Sequence, residues 1–372
     1  LLISQLVWLT QQVFGDASPW RHLLVCVCLS ALTGASWFVS LLMPDIFSGM
    51  VVLSIFILGF SKQLSKTMTF WISLLGALAI AVHLSHLVIA VACLLVVLVF
   101  RLRRVHLALL PLVIALISLV GTNMVAFNKV AVSPFGSVFM LARMSADGNV
   151  KSVLEKYCPE KKWNLCAWKD RLAKDSDVFM WDSTGPVWSH PGGPMGLAPE
   201  ASEIIALTIR TRQLPLLWSA IQNTATQLSM VKLGDTIHSD WLDITVLKSV
   251  EKFFPAAELE RYKNAHQVQG TMLERVSFVS MVGTYTVLVG FLLSLYIFFR
   301  ALRARDWTVL GFILLIWMGV LANAFATGAL SKPHYRYQTR IAWLLVLPPL
   351  VLILRDKKSP SGNRSRALKA RP

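Results

Sequence analysis

Three short polar clusters interrupt the apolar stretches of this chain and hold the residue types best suited to chemistry. The clusters occupy residues 44–45, 83–86 and 333–340 and read Pro-Asp, His-Leu-Ser-His and Pro-His-Tyr-Arg-Tyr-Gln-Thr-Arg. Aspartate and histidine can move protons, and arginine binds phosphate or carboxylate through a planar pair of donors. The basic residues that flank the apolar stretches predict that all three clusters lie at the same ends of membrane spans.

The apolar stretches predict an all-α polytopic membrane protein. A transmembrane helix needs about 20 apolar residues. The first two apolar stretches are too long for one helix each, and basic residues flank both of their ends, as expected where both ends are cytoplasmic. We therefore predict that they fold back near Pro44 and near residues 83–86, which gives about eight transmembrane helices in total. The stretches are 22–60, 67–100, 106–127, 276–299, 307–328 and 341–354.

The same topology divides the chain into four parts. They are an N-terminal transmembrane bundle over 1–127, an external, periplasmic domain over 128–275, C-terminal transmembrane helices over 276–354 and a basic cytoplasmic tail over 355–372. The external part holds 17 Lys and Arg against 16 Asp and Glu, so nearly all of the formal net charge of +16 belongs to the short loops and the tail. The apolar start of the chain reads as the end of a helix, and we expect one or more spans upstream of Leu1.

The external part is predicted to be mainly helical. Its sequence shows no strand-like alternation, and a segment rich in Asp, Pro and Gly reads as a loop. The predicted helical segments are 134–157, with a break at 147–148, then 199–232, interrupted at Pro215, and 246–268, and the predicted loop is 170–198.

Two cysteines of the external part are placed for a disulfide. The sequence Cys-Pro-Glu-Lys-Lys-Trp-Asn-Leu-Cys puts Cys158 and Cys166 at the two ends of a short loop. Disulfides form in oxidising compartments, and a periplasmic location permits one here. We predict a bond between Cys158 and Cys166, because both lie in the external part at loop-forming distance; a CxxC metal or redox site does not fit this spacing.

Asp45, His83 and His86 each allow a functional and a structural interpretation. A carboxylate at membrane depth is costly and commonly marks a site, but Asp45 follows a proline and equally suits the cap of a helix at a wet turn. His83 and His86 are three residues apart and would share one face of a helix, as a pair that binds phosphate or metal does. A metal is not favoured, because no HExxH pattern or nearby carboxylate completes a ligand set. The alternative is that the two histidines lie in a turn at the membrane interface and have no binding role.

The third cluster is unusually basic for its predicted side of the membrane. Lys332, Arg336 and Arg340 crowd one turn, and no acidic residue lies between Asp306 and Asp356. Positive charge on the external side opposes the orientation rule and needs another cause. Arg336 and Arg340 are one helical turn apart, so their guanidinium groups can bind one phosphate or diphosphate together. The alternative is that these cations pair with acids of the external domain.

The segments that carry these clusters resemble the membrane core of the GT-C glycosyltransferases, which use polyprenyl-phosphate sugars. In that superfamily a Pro-Asp pair opens a span, a hairpin of small residues follows, and an Arg-Tyr pair opens a late span. The matching positions here are Pro44-Asp45, the hairpin at 83–86 and Arg336-Tyr337. The resemblance implies a supporting catalytic role for Asp45, with the main catalytic acid in a loop that would precede Leu1. With the charge argument above, it gives a substrate-binding set of His83, His86, Lys332, His334, Arg336, Tyr337 and Arg340.

The expected function is the transfer of a sugar from a polyprenyl-phosphate donor on the periplasmic face of a bacterial inner membrane. Two alternatives stay open. One is a polysaccharide polymerase or ligase of the O-antigen type, which would use external arginines such as Arg210 and Arg212, and the other is a non-catalytic membrane protein whose external domain binds a partner. The basic span ends are expected to contact anionic lipids and not nucleic acid. No cofactor is indicated, a divalent metal stays open, and no oligomeric state is assigned.

Overall fold

The computed structural model describes residues 1–235, 237–239 and 242–353, apart from the side chain of Ile244. These residues form helices joined by turns and loops, and no β-strand occurs among them, so the all-α class is confirmed. The predicted tail over 355–372 and residue 354 lie outside the described residues. In chain order the helices are α1 Leu2–Val13, α2 Pro19–Leu32, α3 Ala35–Ser40, α4 Phe47–Phe60, α5 Lys66–Ala81, α6 Ser85–Phe100, α7 Val105–Phe127, α8 Gly136–Ala146, α9 Lys151–Lys161, α10 Ser176–Trp181, α11 Gly193–Thr211, α12 Gln213–Ser229, α13 Lys248–Phe253, α14 Ala256–Lys263, α15 Met272–Ala304, α16 Trp307–Ala324, α17 Tyr335–Ala342 and α18 Leu347–Ile353.

Three helical segments of the described chain are long and apolar enough to cross a membrane. They are Leu102–Phe127, Met272–Ala304 and Trp307–Ala329, the last being α16 extended by a π-helical turn. The helices α2, α5 and α6 and the segment Pro44–Phe60 are also apolar but shorter. Membrane association is therefore indicated, whereas the expected number of about eight spans depends on these shorter helices.

The two long apolar stretches break near the positions that the sequence predicts. Since α5 ends at Ala81 and α6 begins at Ser85, the stretch 67–100 turns at residues 82–84. The stretch 22–60 breaks at residues 41–46, around the predicted proline, but it also breaks at residues 33–34, after α2. The second break was not predicted, and it leaves α2 and α3 as two short helices instead of one span.

Contacts at the two ends of the bundle establish its helix directions. The Arg101 guanidinium lies 5.3 Å from the centre of the Phe60 ring and donates a 2.6 Å hydrogen bond to Thr308 Oγ1. The end of α6 therefore meets the end of α4 and the start of α16. On the other side, His86 Nδ1 donates to the Ala79 carbonyl at 2.6 Å, so α5 and α6 form an antiparallel hairpin. We call the end with Arg101 the basic end and the end with His86 the polar end.

The helix α4 is the centre of the bundle. Every residue from Ser48 to Phe60 is buried, and the helix is apolar on all sides, as expected for a helix enclosed by other helices. The helices α1, α5, α6, α7 and α16 contact it. Its first turn can approach the chain near α17 only because Gly49 has no side chain, since a Cβ atom there would lie 2.5 Å from the Trp343 ring. This packing fixes the turn that precedes α4, where Asp45 lies.

Residues between 135 and 216 form a second hydrophobic core, distinct from that of the bundle. Buried side chains of α8, α9, α10 and α11 meet in it. Cys158 and Cys166, whose Cα atoms are 5.6 Å apart, form a disulfide beside this core. The predicted disulfide is therefore confirmed in the structure. It closes the loop between the end of α9 and the short helical turn that follows.

Two local predictions for residues 128–275, which we call the external part after their predicted location, are wrong. The segment 170–198 is not all loop, because α10 lies within it and α11 begins at Gly193. The break in 199–232 falls at Arg212 and not at Pro215. Pro215 lies instead in the first turn of α12, where a missing N–H removes no intrahelical hydrogen bond. The predicted break at 147–148 is confirmed by the end of α8 and the start of α9.

Candidate functional site

The three polar clusters meet at the polar end of the bundle. Asp45 lies in the short turn before α4, Ser85 opens α6, and Asn323 lies in the last turn of α16. The helix α17 supplies Arg336 and Arg340. Apolar packing along α4, α6 and α16 aligns these helices, so polar residues at their ends become neighbours although they are far apart in sequence.

Arg340 is the centre of this site and is fully buried. Its Nη1 donates to Asp45 Oδ1 at 3.1 Å, and its Nη2 donates to Ser85 Oγ at 2.8 Å. Nη2 and Nε both donate to Asn323 Oδ1, at 3.0 and 3.3 Å. A buried charge is tolerated only when it is paired and hydrogen-bonded, and Arg340 meets both conditions. The guanidinium therefore links α17 to the turn before α4, to α6 and to α16.

Asn323 and Ser85 are site residues that sequence reasoning missed. Besides accepting from Arg340, Asn323 donates through Nδ2 to the Tyr337 carbonyl at 2.7 Å and to Gln338 Oε1 at 3.1 Å. The available signal was a lone amide in the apolar run of α16, because a polar group at such a position needs a partner. Ser85 lies in the cluster at 83–86, in which the residue types predict a role only for the two histidines.

Arg336 lies beside the Arg340–Asp45 pair, and its guanidinium makes fewer hydrogen bonds than that of Arg340. Its Nε is buried, 3.7 Å from Asp45 Oδ2, and has no hydrogen-bond partner among the described residues. Its Nη1 contacts Met43 Sδ at 3.8 Å, a weak acceptor. The Arg336 and Arg340 guanidinium carbons lie 4.9 and 5.1 Å from the centre of the Tyr337 ring. Because the Arg336 side chain is 23% exposed, this cation can be reached from outside.

A row of aromatic rings extends along the site. The ring centres of His86 and His83 are 5.3 Å apart, those of His83 and Tyr337 6.2 Å, and those of Tyr337 and His334 5.3 Å. The His83 Nδ1 and Ser85 Oγ atoms are hydrogen-bonded at 2.8 Å. The His86 Nε2 atom is buried without a partner among the described residues. The two histidines are neighbours as expected, but His83 precedes α6, so they do not share the face of one helix.

A second group of charges joins the external part to the bundle, and we call it the junction cluster. Lys332 Nζ donates to Asp175 Oδ2 at 2.8 Å and to Asp177 Oδ2 at 2.9 Å. His334 Nε2 lies 3.2 Å from Asp177 Oδ2, and His334 Nδ1 lies 3.5 Å from Asp235 Oδ2. These five residues tie the start of α10 to the segment that precedes α17.

The junction cluster shifts the pKa values of its own members. Burial lowers the pKa of His334, but the hydrogen bonds and negative charges of Asp177 and Asp235 outweigh burial and raise that pKa to about 9. Burial raises the pKa of Asp177, and the hydrogen bonds from His334 and Lys332 reverse this and lower it to about 2. At neutral pH His334 is therefore protonated and Asp177 is ionised.

The structure brings the predicted site residues together at the polar end and the junction cluster, and it pairs most of their cations with acids. Lys332 pairs with Asp175 and Asp177 of the external part, as in the alternative that the sequence left open, whereas Arg340 pairs with Asp45 of the N-terminal bundle. The acids come from distant parts of the chain, so the acid-free run around Lys332 did not reveal them. The substrate-binding role of these residues stays a prediction, and Arg336 is the cation best placed to fulfil it.

Possible metal ligands and cavities are further features to compare with the position of this site. No group of three or more His, Cys, Asp or Glu side chains among them is arranged to hold a metal ion. A cavity of about 610 Å³ lies near the basic end, where Phe14, Ile57 and Lys62 contribute to its walls. None of the predicted site residues lines that cavity.

The comparisons with known proteins assign neither a family nor a function to this chain. No protein-family model matches the chain, and no curated protein or solved structure matches it either. The resemblance to the GT-C glycosyltransferases therefore remains an expectation from the sequence.

Proposed function

We propose that this chain is an integral membrane protein that binds the phosphate of a polyprenyl-linked sugar at the polar end and transfers the sugar, as the GT-C glycosyltransferases do. The observation that carries the proposal is the state of Arg336. Its Nε is buried without a hydrogen-bond partner among the described residues, while part of its side chain is exposed. A phosphate supplies the negative charge and the paired acceptors that this guanidinium needs.

In the proposed topology the three long apolar helices and the shorter apolar helices cross the membrane, about eight spans in all. The basic end, with Lys62, Arg101, Arg103 and Arg104, faces the cytoplasm of a bacterial inner membrane, as the orientation rule favours. The polar end and the external part then face the periplasm. The Cys158–Cys166 disulfide supports this orientation, because disulfides persist in oxidising compartments.

In this proposal Arg340 positions Asp45 and does not bind the donor. One Asp45 oxygen accepts a hydrogen bond from Arg340, and the other lies 3.7 Å from Arg336 Nε. Because Asp45 is only 3% exposed, it does not bind the acceptor hydroxyl directly, but its negative charge can stabilise positive charge that develops on the sugar. Asp45 therefore supports the transfer, and the half-buried His83, whose ring lies 6.2 Å from that of Tyr337, is the histidine that can contact the same substrate, whereas His86 is fully buried behind it.

A second candidate is a non-catalytic membrane protein whose external part binds a partner. The observation in its favour is the pairing of Arg340 and Lys332 with acids, since saturated ion pairs hold elements together without leaving charge for a ligand. In this case Arg336 would be a structural residue. The junction cluster would then hold the external part in a fixed position for its partner.

Donor binding by Arg336 is tested with the full chain in nanodiscs and two probes, a polyprenyl phosphate and the uncharged polyprenol of the same length. We expect Arg336→Ala to weaken phosphate binding about tenfold to a hundredfold, which corresponds to the loss of one charge-assisted contact of about 1.5–3 kcal/mol. Arg336→Lys keeps the charge but loses the planar pair of donors, so its affinity should be intermediate. Polyprenol binding should be the same for all three proteins.

The matched control is Arg300→Ala, because Arg300 lies near the end of α15, away from the polar end, and contacts Tyr296. Equal phosphate affinity of Arg336→Ala and the wild type would exclude this site. A wild type that binds polyprenyl phosphate yet transfers no sugar from polyprenyl-phosphate donors would favour the non-catalytic candidate.

A further inference from the structure

The helix α12 directs polar side chains into the protein and large apolar ones outward. Asn223 Nδ2 donates to both carboxylate oxygens of Asp147 at 3.1 Å. Gln227 Nε2 donates to the His334 carbonyl at 2.7 Å, and Gln227 Oε1 accepts from the His334 N–H at 2.9 Å. A helix packed on a domain in water shows the opposite arrangement. The helix therefore has an apolar surface that faces away from the rest of the chain.

The exposed apolar side chains of α12 form one continuous stripe. Leu214, Leu217, Trp218 and Ile221 are 78, 58, 62 and 51% exposed. Their spacing of three, four and seven residues places them on one face of the helix. A contiguous exposed patch of large apolar residues marks an interaction surface. Tryptophan within it is typical of a helix at the boundary between lipid and water.

The polar face of α12, opposite the stripe, packs against the end of a candidate membrane span. A Cβ atom on Gly328 would lie 2.6 Å from the Asn223 carbonyl oxygen and 2.9 Å from Gln227 Cβ. Gly328 belongs to the π-helical turn that ends the segment Trp307–Ala329. The backbone of α12 is therefore packed directly against the last turn of a helix that can cross the membrane.

The charges around α12 suit an anionic lipid surface. No Asp or Glu occurs from residue 204 to residue 234, while Arg210 and Arg212 precede the helix and Lys232 follows it. Basic residues beside an apolar stripe let a helix bind anionic headgroups while its apolar side enters the boundary with the acyl chains. Because this segment contains no acidic residue, it carries no negative charge that would repel lipid phosphates.

We propose that α12 is an interfacial helix whose stripe of Leu214, Leu217, Trp218 and Ile221 lies in the headgroup region of an anionic bilayer. Through the two Gln227 hydrogen bonds to His334, this helix connects the lipid surface to the polar end. The proposal requires that the bundle is in a membrane, but it does not require that the chain binds a donor lipid.

The test measures membrane depth at two positions of α12 in the full chain. In a background with Cys26→Ser, Cys28→Ser and Cys93→Ala, which retains the disulfide, Ile221→Cys and Thr226→Cys each receive one environment-sensitive fluorophore. Both positions are exposed, and they point about 140° apart around an α-helix. The labelled proteins are placed in vesicles of phosphatidylcholine and phosphatidylglycerol that carry nitroxide lipids. We expect quenching at position 221 to exceed that at position 226 about twofold or more, because an interfacial helix buries one face.

A second arm tests the lipid charge. Replacement of phosphatidylglycerol by phosphatidylcholine should reduce the quenching at position 221, and Arg210→Gln should reduce the difference between the two vesicle types. Equal quenching at positions 221 and 226 would overturn the proposal. A label at position 221 that is shielded from water but unaffected by nitroxide lipids would also overturn it and would indicate a second copy of the chain on the stripe. Equal quenching at position 221 in both vesicle types would contradict the proposed binding to anionic headgroups.

Discussion

The Arg340–Asp45 pair and the junction cluster join cations to acids at the same end of the protein, but they differ in burial. The Arg340 and Asp45 side chains are 0 and 3% exposed. In the junction cluster Lys332 is 26% exposed, and its partners Asp175 and Asp177 are 44 and 42% exposed. The first pair is enclosed by helices of the bundle, whereas the second group lies where water can reach it.

This difference in burial predicts a difference in how much each group matters. A charge enclosed in apolar packing has no solvent to replace a lost partner, so breaking such a pair is strongly destabilising. In an exposed network, water and the remaining members of the network compensate for a lost charge. The buried pair should therefore control the stability of the bundle, and the junction cluster should control only the attachment of the external part.

The largest expected effect is that of Arg340→Leu, which leaves the buried Asp45 without its hydrogen-bonded cation and with only Arg336, whose Nε is 3.7 Å away. We expect the free energy of unfolding in mild detergent to fall by about 3–5 kcal/mol. The matched control is Arg261→Leu, because Arg261 is 77% exposed and pairs with Glu258 within one helix. That control should change stability by about 0.5 kcal/mol or less. Similar losses in the two variants would contradict the distinction between buried and exposed pairs.

The double variant with Asp45→Leu and Arg340→Leu tests whether the loss comes from the unpaired charge. Removing both partners removes the uncompensated charge, so the double variant should be more stable than Arg340→Leu alone by about 1–3 kcal/mol. Full recovery is not expected, because Ser85 and Asn323 also lose a hydrogen-bond partner. Chemical unfolding of the four proteins of the cycle measures the coupling. A double variant as unstable as the sum of the two single variants would show that the loss comes from packing.

The buried pair also shows how far sequence reasoning reaches. The sequence predicts a role for both Asp45 and Arg340, because a charge beside a long apolar run needs an explanation. Their mutual pairing was not predicted, since the two residues are 295 positions apart and lie in two of the three separate clusters. The helical class and the break at 82–84 follow from apolar periodicity and basic flanks, which are local properties. Which acid meets which cation depends on how the helices pack.

The junction cluster is a second case in which the sequence does not reveal an ion pair between distant parts of the chain. The run around Lys332 contains no acid and therefore predicts an anion site, whereas Asp175 and Asp177 approach it from the external part. These two acids lie at the start of α10, inside the segment predicted to be a loop. Because that helix was not predicted, its acids could not be placed near Lys332.

A smaller effect is expected at His334 and depends on pH. Its pKa is raised to about 9 in the folded chain, above the ordinary value of 6.5, so its charge stabilises the fold fully below about pH 6.5. This stabilisation is lost as the pH rises through about 9. The charges that face His334 are those of Asp177 and Asp235, and Lys332 shares the Asp177 carboxylate with it. The difference in thermal midpoint between the wild type and His334→Gln should therefore be largest near pH 6 and should decrease toward pH 10.

The acidic side of the same profile has a different origin. The pKa of Asp177 is lowered to about 2, so its contribution is present above its ordinary value of 3.8 and is lost as the pH falls toward 2. The effect of His334→Gln should thus have its plateau between about pH 4 and pH 6.5. A difference between the two proteins that does not change from pH 6 to pH 10 would show that His334 acts there through packing and not through its charge.

The smallest expected effect is that of Lys332→Met. Because Lys332 and its two partners are partly exposed, the variant should lose about 1 kcal/mol or less, and the loss should shrink at high salt as screening weakens the wild-type pairs. The matched control is Lys161→Met, whose pair with Glu203 is similarly exposed but lies within the external part. Hydrogen exchange separates the two variants. Faster exchange in α10 for Lys332→Met and not for Lys161→Met would show that the junction cluster holds the external part to the bundle. Faster exchange throughout the bundle would contradict this and would show that Lys332, like Arg340, controls the stability of the bundle.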